Sequence, residues 1–268
     1  VFLPLNDPLA ALCRRLVPAR PQAEDPGQPR HLDPNVLDTP AEALACAMRE
    51  TLNLGDRVAD MLRQTMDALE HNDARAVKAI EAADNAVDSL YEAIKLYLVQ
   101  TSRNELGEED GRRYVEILTF TTNLEHVGDI IDKNLMELAA KKIKNRYAFS
   151  AEGTAELRAF HGRVLENLRL ALNVFTTRDI TLARRLVAEK VAIREAEAQA
   201  GDSHFARLRQ GRPESIETSS IHMDVIRDLK RINGHLASVA YPILEAAGEL
   251  AETRLRPTAP ATQTAASH

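Results

Sequence analysis

The sequence predicts an all-α protein made of two tandem antiparallel three-helix bundles. Three observations support this fold. The chain of 268 residues is 44% hydrophobic but only 4% aromatic and has no Trp, a mixture that favours helices over sheets. Apolar residues recur every three or four positions over most of the chain, and no segment alternates convincingly with a period of two. The order of helices and turns also repeats after about 106 residues.

Composition divides the chain into five segments. Residues 1–17 are apolar, and because the chain starts with Val rather than Met we interpret them as the end of an upstream membrane part; a frayed amphipathic start is the alternative. Residues 18–40 are rich in Pro, which predicts an extended linker. The first three-helix repeat is expected over residues 41–148 and the second over residues 149–256. The low-complexity residues 257–268 are predicted to be a disordered tail.

The first repeat begins with a recognisable helix start. Thr39-Pro40 fits a capping residue followed by Pro at the first helical position. Asn72-Asp73 marks a turn, after which a second helix with its own apolar stripe begins. The pattern then breaks, and a long third helix is predicted over about residues 112–144.

The second repeat follows the same plan. Ser150 is expected to cap the fourth helix, and Arg178-Asp179 mirrors the turn of the first repeat. The fifth helix is predicted over about residues 180–209 and the sixth over about residues 214–252. Short turns between long helices are typical of antiparallel bundles.

The third helix carries a row of acids close to its buried face. Glu125, Asp129 and Asp132 are spaced i, i+4, i+7 and therefore share one side of a helix. Carboxylates stacked in this way repel one another unless a divalent or iron-type metal ion lies between them, or unless water and basic side chains screen them. Gly128 lies among the acids, where either a closely approaching ligand or tight helix packing accounts for a residue that disfavours helix.

A second source of carboxylates lies on the preceding helix. Asp84 occupies an apolar stripe position between Ile80 and Val87, and Asp88 follows one turn later. A carboxylate on a packing seam must be paired, hydrogen-bonded or bound to metal. An antiparallel bundle can place this helix beside the third, so the candidate metal ligands are Asp84, Asp88, Glu125, Asp129 and Asp132. The alternative is that Asp84 pairs with a Lys or Arg and the other acids are solvated.

The second repeat lacks the acidic row. With an offset of about 105 residues, Glu125 corresponds to Lys230 and Asp129 to Gly234, so a metal site is expected only in the first repeat. The sixth helix has a different polar row, made of Asp224, Asp228, Arg231 and His235. Because an Arg lies between its acids and its His, we interpret this row as an ion-pair face rather than a second metal site.

Several function classes receive no support from the sequence. A net charge of −6 gives no argument for a nucleic-acid partner. Two cysteines cannot form a disulfide framework and favour a reducing compartment. No apolar stretch reaches the length of about 18 residues that spans a membrane. Because the chain also lacks the common catalytic and nucleotide-binding motifs, we predict no catalytic or cofactor-binding residues and do not expect an enzyme.

These residues resemble a known family. The stretch Glu125-His-Val-Gly-Asp129 resembles the E(D)xxxD signature that PhoU proteins carry once per three-helix repeat, and the position of Asp84 and Asp88 on the preceding helix is similar. The resemblance extends over about residues 40–252. PhoU proteins are phosphate-signalling regulators, and several carry multinuclear metal clusters on these acids. The resemblance therefore implies a PhoU-like fold and a metal site on the first-repeat carboxylates.

Longer stretches resemble one group more specifically. Residues 37–41, 88–97, 216–222 and 227–233 are similar to the cytoplasmic PhoU-like region at the C-terminal end of bacterial sodium/phosphate cotransporter family proteins. This resemblance implies a cytoplasmic regulatory or accessory domain of a sodium-dependent inorganic phosphate cotransporter, located at the cytoplasmic face of the inner membrane. The alternatives are a free-standing PhoU-like regulator and a metal-free helical adaptor.

The resemblance also implies partners. These are the membrane transporter part, in cis or in trans, and a phosphate-signalling protein, with homodimer formation as a further expectation. Two features depart from the PhoU pattern. Lys133 lies four residues after the signature Asp, where the family usually has Asn, and the second-repeat signature is lost at Lys230 and Gly234. Both departures bear on metal binding, particularly on a cluster in each repeat.

Overall fold

The computed structural model describes residues 25–103 and 105–250, and it is helical over most of that range, with no strand in it. The first repeat contains α1 (Pro40–His71), α2 (Ala74–Thr101), α3 (Glu108–Asp129), a π-helical segment (Ile130–Met136) and α4 (Glu137–Asn145). The second contains α5 (Ala151–Thr177), α6 (Ile180–Arg209), α7 (Pro213–Glu217), α8 (Ser219–Ala237) and α9 (Ala240–Ala246). The all-α, two-repeat fold predicted from the sequence is thus confirmed.

The turns of the two repeats are built alike. Asn72 and Arg178 each end a helix in the left-handed conformation, with φ of 54°. The next residue then caps the following helix: the Asp73 carboxylate accepts from the backbone N–H of Arg75, and Asp179 accepts from that of Leu182. Each turn therefore reverses the chain within two residues, which makes α1 antiparallel to α2 and α5 antiparallel to α6.

The two repeats share one hydrophobic core. Within the repeats α1 packs on α2 and α3, and α5 packs on α6 and α8; between them α1 contacts α5, and α3 contacts α8. A Cβ at Gly55 of α1 would lie 2.4 Å from Leu172 Cδ2 of α5, so this glycine permits the close approach of the helices. The Nε2 atom of His161 on α5 also donates a hydrogen bond of 2.6 Å to the carbonyl oxygen of Leu62 on α1. The repeats therefore stabilise each other.

Two predicted helices differ from the structure. The third begins at Glu108, earlier than expected, and its regular winding is interrupted by the π-helical segment before α4. The sixth is divided into α7, α8 and α9. The breaks fall at Thr218, whose hydroxyl donates to the Glu214 carbonyl, and at Ser238, whose hydroxyl donates to the His235 carbonyl. Such hydroxyl bonds to a preceding carbonyl compete with the helix ladder and bend helices.

The predicted linker is not a free spacer over its described residues. The backbone N–H groups of Arg30 and His31 both donate to Glu50 Oε2, at 2.7 and 2.6 Å, and the Tyr97 hydroxyl donates to the Asp33 carbonyl at 2.7 Å. A short 3-10 helix, Pro34–Val36, then leads to α1. Residues 25–39 are thus held against the first repeat, because Glu50 is buried and uses these amides as partners. Residues 1–24, 104 and 251–268, with the predicted apolar start and disordered tail, lie outside the described residues.

The second repeat encloses an ionic cluster. Arg207 of α6 is only 8% exposed, and its Nη2 donates to Glu156 Oε2 of α5 at 2.7 Å. The buried His222 of α8 contacts the same oxygen through Nε2 at 3.1 Å, and its ring stacks on that of His204. His204 in turn bonds the Ser219 hydroxyl at 2.8 Å. The stretch 216–222 that stands out in the sequence therefore helps to build the interior of this repeat.

No described helix combines the length and apolar character that are needed to cross a bilayer.

Candidate metal centre

Three carboxylates from two antiparallel helices meet in the first repeat. Asp84 and Asp88 lie one turn apart on α2, and Asp129 is the last residue of α3. One oxygen from each of these side chains lies within 4.8 Å of the other two. We call these three residues the acidic triad. Three acidic oxygens at this separation can share one cation, which is the arrangement that hard divalent ions take in proteins.

Asp84 is the buried member of the acidic triad. It is 6% exposed, and its Oδ1 is buried without a hydrogen-bond partner among the described residues. Burial, followed by the negative charges of Asp88, Asp132 and Asp129, raises its pKa to about 7. A buried carboxylate oxygen normally finds a donor or a metal, so this unpaired atom is the observation that favours a bound cation.

Gly128 keeps the space beside Asp84 open. A Cβ at this position would lie 3.0 Å from Asp84 Oδ1 and 3.2 Å from Val87 Cγ1. The glycine therefore allows α3 to pack closely against Asp84 and Val87 of α2, which is the helix-packing role that the sequence suggested for it. The other role, room for a ligand, stays a prediction.

The other two predicted ligands lie outside the acidic triad. Burial raises the pKa of Glu125, and the carboxylate of Asp129 raises it further, while Glu125 Oε2 lies 3.7 Å from His126 Nε2. Burial and the neighbouring Glu81 raise the pKa of Asp132. Asp132 belongs to the π-helical segment, whose wider turns shift its direction from the α-helical register that the sequence spacing assumed.

Lys133 belongs to the site, although the sequence marked it only as a departure from the family pattern. Its Nζ donates to Asp129 Oδ1, and this hydrogen bond raises the pKa of the Lys133 ammonium group. The signal was present in the sequence, because Asp and Lys four residues apart on a helix commonly pair. Lys133 thus supplies one fixed positive charge against the three carboxylates.

The side chains fit a hard cation better than a thiophilic one. All three members of the triad are carboxylates, which suit magnesium, calcium, manganese or ferrous iron rather than structural zinc. With Lys133 counted, one divalent ion would balance the charge of the acidic triad. Asp84, Asp88 and Asp129 would hold it, and Glu125 and Asp132 are close enough to add to the negative potential, as their mutual effects on pKa show.

The polar row of the second repeat forms ion pairs, as the sequence indicated. Arg231 Nη1 lies 2.8 Å from Asp228 Oδ1, and Arg227 Nη1 lies 2.9 Å from Asp224 Oδ1. Lys230, which replaces the signature Glu of the first repeat, pairs with Glu197 of α6 at 2.5 Å. Basic partners therefore neutralise these acids, and among the described residues the acidic triad is the group that offers three neighbouring acidic ligands.

Family comparison agrees with the two-repeat architecture. The PhoU domain profile matches the chain twice, over residues 51–137 and 157–243, so that each match covers most of one three-helix repeat. The chain belongs to the PhoU domain family. The resemblance seen in the sequence is thus confirmed, and the acidic triad falls within the first PhoU match.

Curated relatives of this PhoU chain are longer proteins. It is 40% identical over 245 residues to "Putative inorganic phosphate export protein YjbB" of Escherichia coli K12, which covers 91% of this chain and 45% of the relative. The protein of the same name from Salmonella typhimurium is 40% identical over 244 residues, with the same coverage. The chain therefore spans about half the length of the curated relatives that it matches.

Solved PhoU structures share the fold. PhoU from Pseudomonas aeruginosa superposes with a TM-score of 0.71 at 19% identity, covering 78% of this chain and 99% of that one. The phosphate transport system regulatory protein PhoU from Streptococcus pneumoniae gives a TM-score of 0.68 at 19% identity, covering 78% and 98%. At this identity the superpositions establish a common helical architecture.

Replacing Gly128 by Ala should weaken metal binding at least ~10-fold and change the free energy of unfolding by less than ~1 kcal/mol. The added methyl group would crowd Asp84 Oδ1, whereas the better helix propensity of Ala offsets the tight contact with Val87. Competition titration with Mn²⁺ and urea unfolding measure the two effects. The control is Gly162→Ala on α5, where a Cβ meets no atom within 4 Å, and which should bind Mn²⁺ like the wild type. Equal affinity of Gly128→Ala and the control would contradict this role for Gly128.

Proposed function

We propose that this chain is a metal-binding, non-catalytic regulatory domain that acts on a sodium-dependent phosphate transport protein from its cytoplasmic side. The observation that carries the proposal is the acidic triad with its unpaired buried oxygen, located in a PhoU chain. The relatives named as phosphate export proteins supply the physiological context, and the sodium coupling follows the cotransporter family that the sequence resembles.

The bound ion would change the chemistry of the first repeat in a defined way. Without metal, the Asp84 pKa of about 7 leaves this carboxyl only partly ionised near neutral pH, and Lys133 partly neutralises Asp129. With metal, the carboxylates of α2 and the end of α3 would be joined through one ion. The π-helical segment starts directly after Asp129 and packs on α1, α2 and α8. A shift of Asp129 on metal binding would therefore be transmitted to helices of both repeats. We propose this link as the route from metal occupancy to the transporter.

A membrane part in cis is the partner that we propose. The relatives extend well beyond the aligned region, and that remaining part is where a transport path would lie. A free-standing regulator that acts in trans is the second candidate, and one observation favours it. The chain covers 98–99% of two solved PhoU proteins, so the two repeats alone make up nearly all of each of those structures.

Metal binding is tested first with the 268-residue chain. After chelation and reloading, elemental analysis should find about one divalent ion per chain, with Asp84→Asn and Asp88→Asn each lowering affinity at least ~100-fold, since even outer-shell changes cost 10–100-fold. The matched control is Asp224→Asn on α8, which removes an acid that is already paired with Arg227. No bound Mg²⁺, Mn²⁺, Fe²⁺ or Ca²⁺ in the wild type would favour the metal-free adaptor.

The transport role is tested in cells. The full reading frame that contains this chain is expressed in a strain lacking phosphate transporters of its own, and phosphate flux is followed in sodium and in potassium media. Asp84→Asn and Asp88→Asn should alter the flux, and Asp224→Asn should leave it unchanged. Flux that depends on neither sodium nor the acidic triad would contradict the proposed function.

A further inference from the structure

A cavity lies next to the acidic triad, on the seam between the two repeats. It has a volume of about 310 Å³ and is formed by the end of α3, the π-helical segment and α8. The polar side chains around this seam cavity are those of His126, Asp129, Lys133, Asn134, Arg231 and His235. Asp129 belongs to both sites, since it contributes to the acidic triad and to the wall of the seam cavity.

The seam cavity offers cationic donors from both repeats. Arg231 Nη1 donates a hydrogen bond to Asp228 Oδ1. Because a guanidinium carries five N–H groups, this bond leaves other N–H groups of Arg231 for a ligand. Lys133 Nζ donates to Asp129, and an ammonium carries three N–H groups. Both side chains are at least half exposed, so their charged ends can reach a ligand in the open cavity. Arg and Lys are the residues that proteins use for phosphate oxygens.

The same cavity also holds acceptors. Asn123 gives its amide group to the Thr119 carbonyl, so its Oδ1 faces His235 Nδ1 at 2.8 Å, which makes Nδ1 the donor. His235 is then left with Nε2 as an acceptor while its ring is neutral. The Asp129 carboxylate is a second acceptor on the wall. An oxyanion that carries its own O–H group satisfies donors and acceptors together.

We propose that the seam cavity binds inorganic phosphate, with Lys133 and Arg231 donating to P–O oxygens and with Asp129 and His235 accepting from P–OH. At neutral pH inorganic phosphate keeps at least one proton, whereas sulfate has none and would face the Asp129 carboxylate without a hydrogen bond. A phospholipid headgroup shares the phosphoryl oxygens, but as a diester it lacks the P–OH group. The physiological meaning rests on the proposed function, whereas the binding itself does not.

Calorimetric titration of the chelator-treated 268-residue chain with inorganic phosphate tests this proposal. We expect saturable binding, with sulfate at least ~10-fold weaker because the acceptors then stay unpaired. Arg231→Ala and Lys133→Ala should each weaken phosphate binding at least ~10-fold. The matched control is Arg227→Ala, one turn earlier on α8, whose Asp224 pairing resembles that of Arg231 but which lies away from the cavity. It should bind phosphate like the wild type.

Three results would overturn the proposal: no phosphate binding by the wild type, equal binding of sulfate, or an equal loss in Arg227→Ala. Co-sedimentation with phosphatidylglycerol vesicles that Arg231→Ala and Lys133→Ala abolish, without saturable binding of inorganic phosphate, would assign the cavity to a lipid headgroup and also overturn it. Circular dichroism should be used to check that Arg231→Ala is folded. Lys133→Ala, at an exposed position, is the second test of the same cavity. Because the titration uses metal-free protein, its result does not depend on whether the chain binds metal. Failure of phosphate binding and failure of metal binding can therefore be told apart.

Discussion

Replacing Asp84 by Asn should stabilise the metal-free protein at pH 8 by ~2–4 kcal/mol and abolish its tight binding of divalent ions. In the folded chain the Asp84 pKa lies at about 7, against 3.8 for the ordinary carboxyl group. Burial is the main cause, and Asp88, Asp132 and Asp129 add to it, while Lys133 opposes it. An amide of the same shape carries no charge and removes this penalty.

The pH dependence of this effect has a definite sign. Because the folded pKa of Asp84 lies above the unfolded one, its contribution to stability is fully present below about pH 4 and is lost as the pH rises through about 7. The advantage of Asp84→Asn should therefore be at least about twice as large at pH 8 as at pH 5. Urea unfolding at both pH values, with chelator present, measures it. Asp88→Asn is the control, and it should gain less because Asp88 is exposed. A variant that is no more stable than the wild type at pH 8 would refute the prediction.

Metal should reverse the order of stabilities. A ligand that binds only the folded state adds about 2.7 kcal/mol at a concentration one hundred times its dissociation constant. The wild type should gain this stabilisation with added Mn²⁺, and Asp84→Asn should not. The same carboxylate would thus destabilise the metal-free chain and stabilise a metal-loaded one, which is the behaviour that a metal sensor requires.

The helices could be predicted from the sequence because their signals are local. The fifth predicted helix, which is α6 in the structure, begins and ends where Asp179 and the apolar spacing placed it. The Asn72-Asp73 turn likewise has the capping geometry that those residues favour. The breaks at Thr218 and Ser238 were missed because Thr and Ser also occur inside continuous helices, as Thr51 and Thr65 do in α1, where they make the same kind of hydroxyl bond to a preceding carbonyl.

The site could be predicted in part. The antiparallel arrangement correctly implied that Asp84 and Asp129 approach each other, since it follows from a two-residue turn and long apolar stripes. The position of Asp132 could not be derived, because it depends on the π-helical winding after Asp129, and no local sequence pattern predicted that winding. The seam cavity depends on the packing of α3 against α8, and contacts between residues about 105 positions apart leave no periodic trace in one sequence.

The ionic cluster of the second repeat should be the most sensitive position for stability. Glu156→Ala should lower the free energy of unfolding by ~3–5 kcal/mol, because it leaves the buried Arg207 without a carboxylate. Arg207 already has one buried atom without a hydrogen-bond partner, Nε. Losing the Glu156 carboxylate would leave further buried N–H groups of the same guanidinium unpaired, which adds to the cost. The matched control is Glu152→Ala, one turn earlier on α5, whose pairing with Arg212 is exposed and whose loss should be much smaller.

Acid should weaken this cluster together with two other histidines of the repeat whose pKa values are also lowered by burial, His161 and His235. Burial, followed by the charges of His222 and Arg207, lowers the pKa of His204 below 6.5, so its contribution to stability is present above about pH 6.5 and is lost as the pH falls. Burial alone would raise the pKa of Glu156, but hydrogen bonds from His222 and Arg207 lower it more, so its contribution is lost only at more acidic pH. Urea unfolding between pH 4 and 8 should show a decline that begins near the ordinary pKa of His.

A double variant separates the value of the pair from the cost of breaking it. Glu156→Leu with Arg207→Met removes both charges, and well-packed apolar replacements of buried ion pairs are often neutral or stabilising. We therefore expect the double variant to be clearly more stable than Glu156→Ala, although His222 loses its acceptor in both. If the two variants were equally unstable, the loss would come from His222 and from packing rather than from the uncompensated charge of Arg207. A recovered stability would instead show that a buried charge without its partner causes the damage.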